Sequence, residues 1–284
     1  MANSSFFFDN QADLATITAS STAGGTMAAA NVQNTQRTVF WRSGTGTTSR
    51  LDITLAAIYG ATHLALVDLN LTTAGTIRVQ SWSDAVGGSV PGVDMTFNPL
   101  LYLNDGFIPS LYGSGLYGLG IYGSSYPVST DAGKNLTLVP LGVTSTDAYW
   151  RITFTDANTT YQQCGRLFIG NAVTMGVNLS YGWSAKRIER SVAKEALGGQ
   201  RFVVKRQGRL QITGLFEAMT DTERTQFLIR LNDYGESKPF IFSVFPEQTS
   251  RGLTTGLYGR FSAPEVSGAS LGRNRLQFTV LEEL

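Results

Sequence analysis

The sequence predicts a mainly β protein: an N-terminal antiparallel jelly-roll sandwich, then a C-terminal β-rich α+β domain with one main helix. Three observations carry that expectation. Short runs rich in β-branched and aromatic residues recur between Gly, Ser, Thr and Asn turns. Several of these runs alternate polar and apolar residues, the period-two sign of a half-buried strand. Charge is also unevenly distributed. Through residue 155 there are six Arg/Lys against nine Asp, a net of −3, and beyond it sixteen basic against twelve acidic residues, a net of +4. Two compositional regimes predict two domains, 1–160 and 161–284.

In the first regime the candidate strands are Arg37–Arg42, Leu51–Ala57, Leu64–Leu69, Thr76–Trp82, Leu136–Pro140 and Tyr149–Thr155. Thr76–Gln80 and Arg151–Thr155 alternate most cleanly, and nothing before residue 185 has a helical period. In the second regime Arg201–Arg206 and Arg209–Thr213, split by Gln207-Gly208, read as a hairpin with a tight turn. Thr220-Asp221-Thr222-Glu223 fits a capping box, Phe227, Leu228 and Leu231 supply an apolar face, and Gly235 sits at the C-cap. A helix over about 220–233 follows, then strands at Lys238–Phe245 and Leu276–Leu281.

Within the first regime lies a loop, 100–126, with three pentads: Leu111-Tyr112-Gly113, Leu116-Tyr117-Gly118 and Ile121-Tyr122-Gly123, each followed by two small or aliphatic residues. A five-residue step matches neither strand nor helix, so a folded-back excursion is expected. In one reading Tyr102, Phe107, Tyr112, Tyr117, Tyr122 and Tyr126 form a surface for another protein or a sugar, since tyrosine joins apolar area to a hydroxyl with few rotatable bonds. In the other, the loop covers its own domain.

Composition excludes more chemistry than it suggests. One His and one Cys among 284 residues rule out an internal disulfide, a Cys-rich metal cluster and any site needing two imidazoles. A net charge of +1 lacks the footprint of a nucleic-acid binder, and no window holds the roughly 18 apolar residues of a membrane span. Gly113-x-Gly115-x-x-Gly118 matches a dinucleotide-binding spacing, but the pentad repeat generates it and no helix follows. His63 and Cys164 read as structural residues, and no Gly-x-Ser-x-Gly elbow is present. The expectation is a protein that is not an enzyme and binds no cofactor or metal.

The densest charge is Lys186, Arg187 and Arg190 with Lys194, Arg201, Lys205, Arg206 and Arg209. It reads either as the solvated face of an edge hairpin or as a contact with an acidic face of a neighbouring subunit. Trp41 and Trp82 are the candidate stacking platforms if the sandwich binds sugar.

Tyr149-Trp150-Arg151-Ile152-Thr153-Phe154 followed by Gly165-Arg166-Leu167-Phe168-Ile169-Gly170 resembles structural proteins of tailed bacteriophages, at the close of a galactose-binding-like jelly roll. Trp41-Arg42, Ala65-Leu66-Val67 and Asn70-Leu71-Thr72 are similar to that fold's opening strands. From about residue 180 onward the strand pair, the capped helix and Lys238-Pro239-Phe240-Ile241-Phe242 resemble the ring-forming domain of distal tail proteins. The Tyr-Gly pentads belong to neither pattern, and no Cys cluster for an iron–sulfur centre is present. The resemblance implies a structural subunit of a phage tail, in the distal tail, tip or baseplate. It implies a homo-oligomeric ring, a hexamer favoured, that is assembled in the host cytoplasm, resides in the virion tail and contacts tube, hub or tip proteins. The alternative is a carbohydrate-binding adhesion module contacting the host surface.

Overall fold

The computed structural model describes residues 3–72, 74–88, 90–99, 136–195, 200–204, 208–246, 256–270 and 273–283. The loop 100–126, with Tyr102, Phe107, Tyr112, Tyr117, Tyr122 and Tyr126, lies outside the described residues. The protein is mostly antiparallel β, and it divides into two compact units. Unit 1 is built on Asp9–Ala172, and unit 2 on Asn3–Phe8, Val173–Val244 and Leu257–Leu284. A division at 160/161 falls inside unit 1, because strand Arg166–Gly170 pairs with Ala61–Val67 there.

Unit 1 is a β-sandwich of jelly-roll type. Its five-stranded sheet has the order Thr16–Ala19, Thr48–Thr54, Tyr149–Thr155, Thr76–Trp82, Val93–Phe97. A three-stranded sheet has the order Arg166–Gly170, Ala61–Val67, Leu136–Ser145, and a short pair joins Gln163–Cys164 to Trp41–Arg42. Alternation decides which side chains go inward. Leu51 faces Ile152, Ile53 faces Trp150, and Phe154 faces Ile77, all fully buried. Leu64, Leu66, Leu167 and Ile169 from the smaller sheet join the same core. A slip of one residue in any central strand would turn that apolar set outward, so the register is strongly specified.

Thr76–Trp82 and Tyr149–Thr155 have the bounds that the alternation predicts. Elsewhere the ends move for local reasons. The Arg37–Arg42 run keeps only Trp41–Arg42 as strand, since Val39 N–H closes a turn onto Gln36 and the Arg37 side chain pairs with Asp68. Leu64–Leu69 becomes Ala61–Val67, ending at Asp68, whose φ of 59° no strand residue adopts. Leu136–Pro140 lengthens to Leu136–Ser145, and Pro140 is tolerated there because that strand lies at the sheet's edge.

Unit 2 holds a seven-stranded antiparallel sheet in the order Val173–Thr174, Ser5–Phe7, Phe240–Ser243, Gly256–Ser270, Arg273–Glu282, Arg209–Met219, Ser184–Ile188. Phe6 of the N-terminal strand and Phe8 just past it, both buried, join an aromatic core with Phe216, Phe227, Phe240, Phe242, Phe261 and Phe278, and Phe7, also buried, alternates to the other face. Leu257 and Tyr258, which repeat the Leu-Tyr-Gly triplet of the loop, are buried strand residues.

The helix runs Asp221–Tyr234, one residue later than expected at each end. Its capping box is formed. The Thr220 hydroxyl accepts from the Glu223 amide at 3.2 Å, and the Glu223 carboxylate accepts from the Thr220 amide at 2.8 Å. Gly235, at φ 45°, closes the far end by donating to Leu231 O at 2.8 Å. Of the expected apolar face, Phe227 is buried and Leu231 half-buried, but Leu228 points outward. Phe227 carries the packing, and the next residue is about 100° round the helix.

The expected hairpin about Gln207-Gly208 is corrected. Arg201–Val204 does not pair with Arg209–Met219; it pairs with Val192–Glu195, while Arg209–Met219 pairs with Ser184–Ile188. Ser184–Ile188 with Val192–Glu195, and Arg201–Val204 with Arg209–Thr213, are therefore the two arms of one long ribbon.

Candidate functional site: an exposed β-ribbon and a loop tyrosine

The ribbon is anchored at its base. Ser184 lies opposite Thr213 and Ile188 opposite Arg209, and Arg209–Met219 continues into the large sheet of unit 2. Beyond the base, Val192 lies opposite Val204 and Glu195 opposite Arg201. Three residues, 189–191, separate the two ladders on one arm and four, 205–208, on the other, so the register shifts by one.

Side chains alternate across a two-stranded ribbon. Val192, Lys194, Phe202 and Val204 therefore share one face, and Ala193, Glu195 and Val203 the other. The described apolar residues are bare. Phe202 is 58% exposed, Val203 57% and Val204 60%, with Val192 at 37%. A two-stranded ribbon in water is marginal by itself, and exposed β-branched and aromatic residues at a strand end invite another surface.

Cations flank this end. Lys186, Arg187, Arg190 and Lys194 are all exposed on the first arm, with Glu189 and Glu195 among them. The sequence thus located the charged part of the surface. It missed the apolar part, although one signal was present: Phe202, Val203 and Val204 are consecutive, and on a period-two strand three such residues cannot all face one side.

The expected sugar platforms are corrected in unit 1. Trp41 is fully buried, its ring centroid 5.6 Å from that of Phe154 and its indole N–H donating to Ser21 O at 3.3 Å. Trp82 is 4% exposed, with the Arg151 guanidinium 5.8 Å from its ring centroid. Neither offers a face to a ligand, since both were drawn inward by the burial of large apolar area. Tyr161 also has one face covered, by Arg42 at 3.4 Å.

Among the described residues of unit 1 the exposed aromatic is Tyr59, 77% exposed, in the turn before strand Ala61–Val67. Its backbone is pinned on both sides. The Tyr59 amide donates to Gln11 Oε1 at 3.4 Å, and Asn171 Nδ2 donates to Tyr59 O at 3.2 Å. Gln11 Nε2 donates to Gly60 O at 3.4 Å, and Gly60 takes the left-handed conformation that this turn needs, at φ 74°. Ile58 is exposed beside it. The result is an aromatic ring on an ordered backbone, next to two side-chain amides. No sequence pattern singles out Tyr59, because its exposure depends on contacts from Gln11 and Asn171, far away along the chain.

Burial keeps two titratable groups of unit 1, Cys164 and His63, neutral. Burial pushes the Cys164 thiol well above its ordinary range, with the Asp68 charge adding to it. Burial likewise lowers the pKa of His63 to about 4, so the imidazole is uncharged at neutral pH, with the Thr62 hydroxyl 2.9 Å from Nδ1. Among the described residues no group of three or more His, Cys, Asp and Glu converges to hold a metal ion. Among the described residues no helix is long and apolar enough to cross a membrane.

No family model and no curated protein matches the chain. Among solved structures it is similar to galactose-binding-like jelly-roll modules. One is chitosan-binding module 1 of a chitosanase/glucanase from Paenibacillus sp. IK-5, with 18% identity over 57% of this chain and 99% of that one, at a TM-score of 0.37. Another is CBM32-3 of a family 31 glycoside hydrolase from Clostridium perfringens, with 16% identity over 58% and 96%, at 0.39. The tail of an empty GTA particle, of C6 symmetry, matches at 15% identity over 40% of this chain and 82% of that chain, at 0.27.

Proposed function

We propose that this chain is a non-catalytic structural subunit that works by protein–protein assembly, with the ribbon of unit 2 as its docking element. The observation that carries this reading is the run Phe202-Val203-Val204, with Val192, exposed at the end of a cation-flanked ribbon. Covering such a surface removes apolar area from water at about 25 cal/mol per Å², which a free ribbon forgoes. The sequence phrases shared with phage tail proteins support placing the assembly in a virion tail, as a ring joining tube and tip. In mass photometry and sedimentation over about 0.1 to 100 µM, the full chain is expected to form species larger than its 30.7 kDa monomer. Replacing Phe202 and Val204 by Ser is expected to return it to the monomer with an unchanged melting temperature. A monomer at every concentration, or association indifferent to those replacements, would sink the reading.

A second reading has its own observation: the ordered, exposed ring of Tyr59 in unit 1. Carbohydrate binding is what the chitosan-binding module's name describes. Here it would fall to Tyr59 as the stacking face and to the Gln11 and Asn171 amides as hydrogen-bonding groups. A low charge content of 15% suits a neutral polyhydroxylated ligand. On a glycan array the chain is expected to bind a defined set of neutral sugars. Tyr59→Ala is expected to weaken the strongest signal at least tenfold, which is about 1.4 kcal/mol. A blank array, or binding that ignores Tyr59, removes this reading.

A further inference from the structure

Unit 2 carries a second exposed apolar feature besides the ribbon. On the helix Asp221–Tyr234, Leu228 is 45% exposed and Ile229 56%. With Thr225 and Asn232, both exposed, they form a stripe at i, i+3, i+4 and i+7, along the side of the helix away from buried Phe227. Helix stripe and ribbon end are bare in the same unit, so neither covers the other.

Their charges are opposite. The helix has no basic residue in its last turn, where the backbone dipole places partial negative charge. Asp233 lies exposed in that turn, and Glu236 lies just past it, accepting from the Ala263 amide at 2.9 Å. Arg230, half-buried on the same helix and with a partner of its own, is the cation nearest this turn. Lys238 is held 5.8 Å from the Tyr234 ring centroid, and Arg224 turns to Asn274 Oδ1 at 3.3 Å. Asp221, at the other end, accepts from Asn274 Nδ2 at 2.9 Å. The ribbon end presents Lys194 beside Phe202 and Val204, with Arg190 and Lys186 nearer the base. Dimensions agree as well. A helix of 14 residues is about 21 Å long, and the four residue pairs of the outer ladder span about 10–13 Å.

We propose that the ribbon end of one copy docks on the outer face of the helix Asp221–Tyr234 of a second copy, Phe202 and Val204 covering Leu228 and Ile229, and Lys194 meeting Asp233. This rests on the assembly reading and names its partner. Every copy carries both halves, one apolar and cationic, the other apolar and anionic, so a single kind of chain suffices. Because the two halves differ, the contact is heterologous: each copy uses its ribbon on one neighbour and its helix on the other. Such a contact generates a ring where the rotation closes and a filament where it does not.

The experiment uses the full chain carrying both Lys194→Cys and Asp233→Cys, oxidised at a concentration where the parent associates. A ladder of disulfide-linked multimers on a non-reducing gel is expected, suppressed by adding Ile229→Ser and equally by adding Phe202→Ser. Mass photometry of the unoxidised chain should show the same two replacements each weakening association at least tenfold. Association lost with Phe202→Ser but indifferent to Ile229→Ser, with no ladder, would overturn the helix as docking site and leave assembly through the ribbon standing. A parent that is monomeric throughout would overturn both.

Discussion

Phe6→Ala is expected to cost about 3–5 kcal/mol, the range for truncating a buried phenylalanine. The ring is fully buried and sits within 4.7–6.2 Å, centroid to centroid, of Phe8, Phe216, Phe227, Phe240, Phe242, Phe261 and Phe278. These rings come from four strands, the helix and the segment following the first strand. Truncation therefore opens a cavity that no single neighbour can fill, and the loss is a large fraction of the 5–15 kcal/mol that stabilises an ordinary domain. Hydrogen exchange should show protection falling in Phe240–Ser243 and Arg273–Glu282, with Phe6→Leu much milder. A loss below about 1 kcal/mol would show that this strand is not part of the core.

Breaking the Arg37–Asp68 pair is expected to be comparably severe in unit 1. The side chains are 7% and 10% exposed, and Arg37 Nε donates to Asp68 Oδ2 at 2.7 Å, with Nη2 donating to Oδ1. Removing one partner leaves the other charge buried without this ion pair, which typically costs about 3–5 kcal/mol. Arg37→Met should therefore destabilise strongly. Adding Asp68→Asn should recover part of the loss, because the stranded charge goes with it and Asn tolerates the left-handed backbone at this position. Urea unfolding of both single variants and the double measures the coupling. Additive losses would show that the pair contributes nothing beyond its separate contacts.

Both sites illustrate how far local pattern reaches. Phe6-Phe7-Phe8 ends at Asp9, too short a run to announce a strand, and its partners Ile241–Ser243 lie more than 230 residues away. Arg37 sits in a run rich enough in β formers to predict a strand, yet its side chain is taken by Asp68 and the backbone turns instead. At the candidate sites the division is similar. The cations Lys186, Arg187 and Arg190 were legible as a charge cluster, whereas the exposure of Phe202 and Val204 follows only from which strand pairs with which. Trp41 and Trp82 looked like ligand platforms because an aromatic residue reads the same in a core and on a surface; only the sheets that close over them decide.

By itself, then, the sequence determined what depends on neighbours along the chain. It determined the mainly β class, the strands Thr76–Trp82 and Tyr149–Thr155, and the capped helix from Thr220 to Gly235, because period-two alternation and capping chemistry act within a few residues. The tertiary structure decided what depends on distant pairing: the N-terminal strand in unit 2, the single long ribbon in place of a tight hairpin, and the choice between buried and exposed aromatics. Strand pairing and burial are set by contacts between segments far apart in sequence. A local pattern limits those contacts without selecting among them.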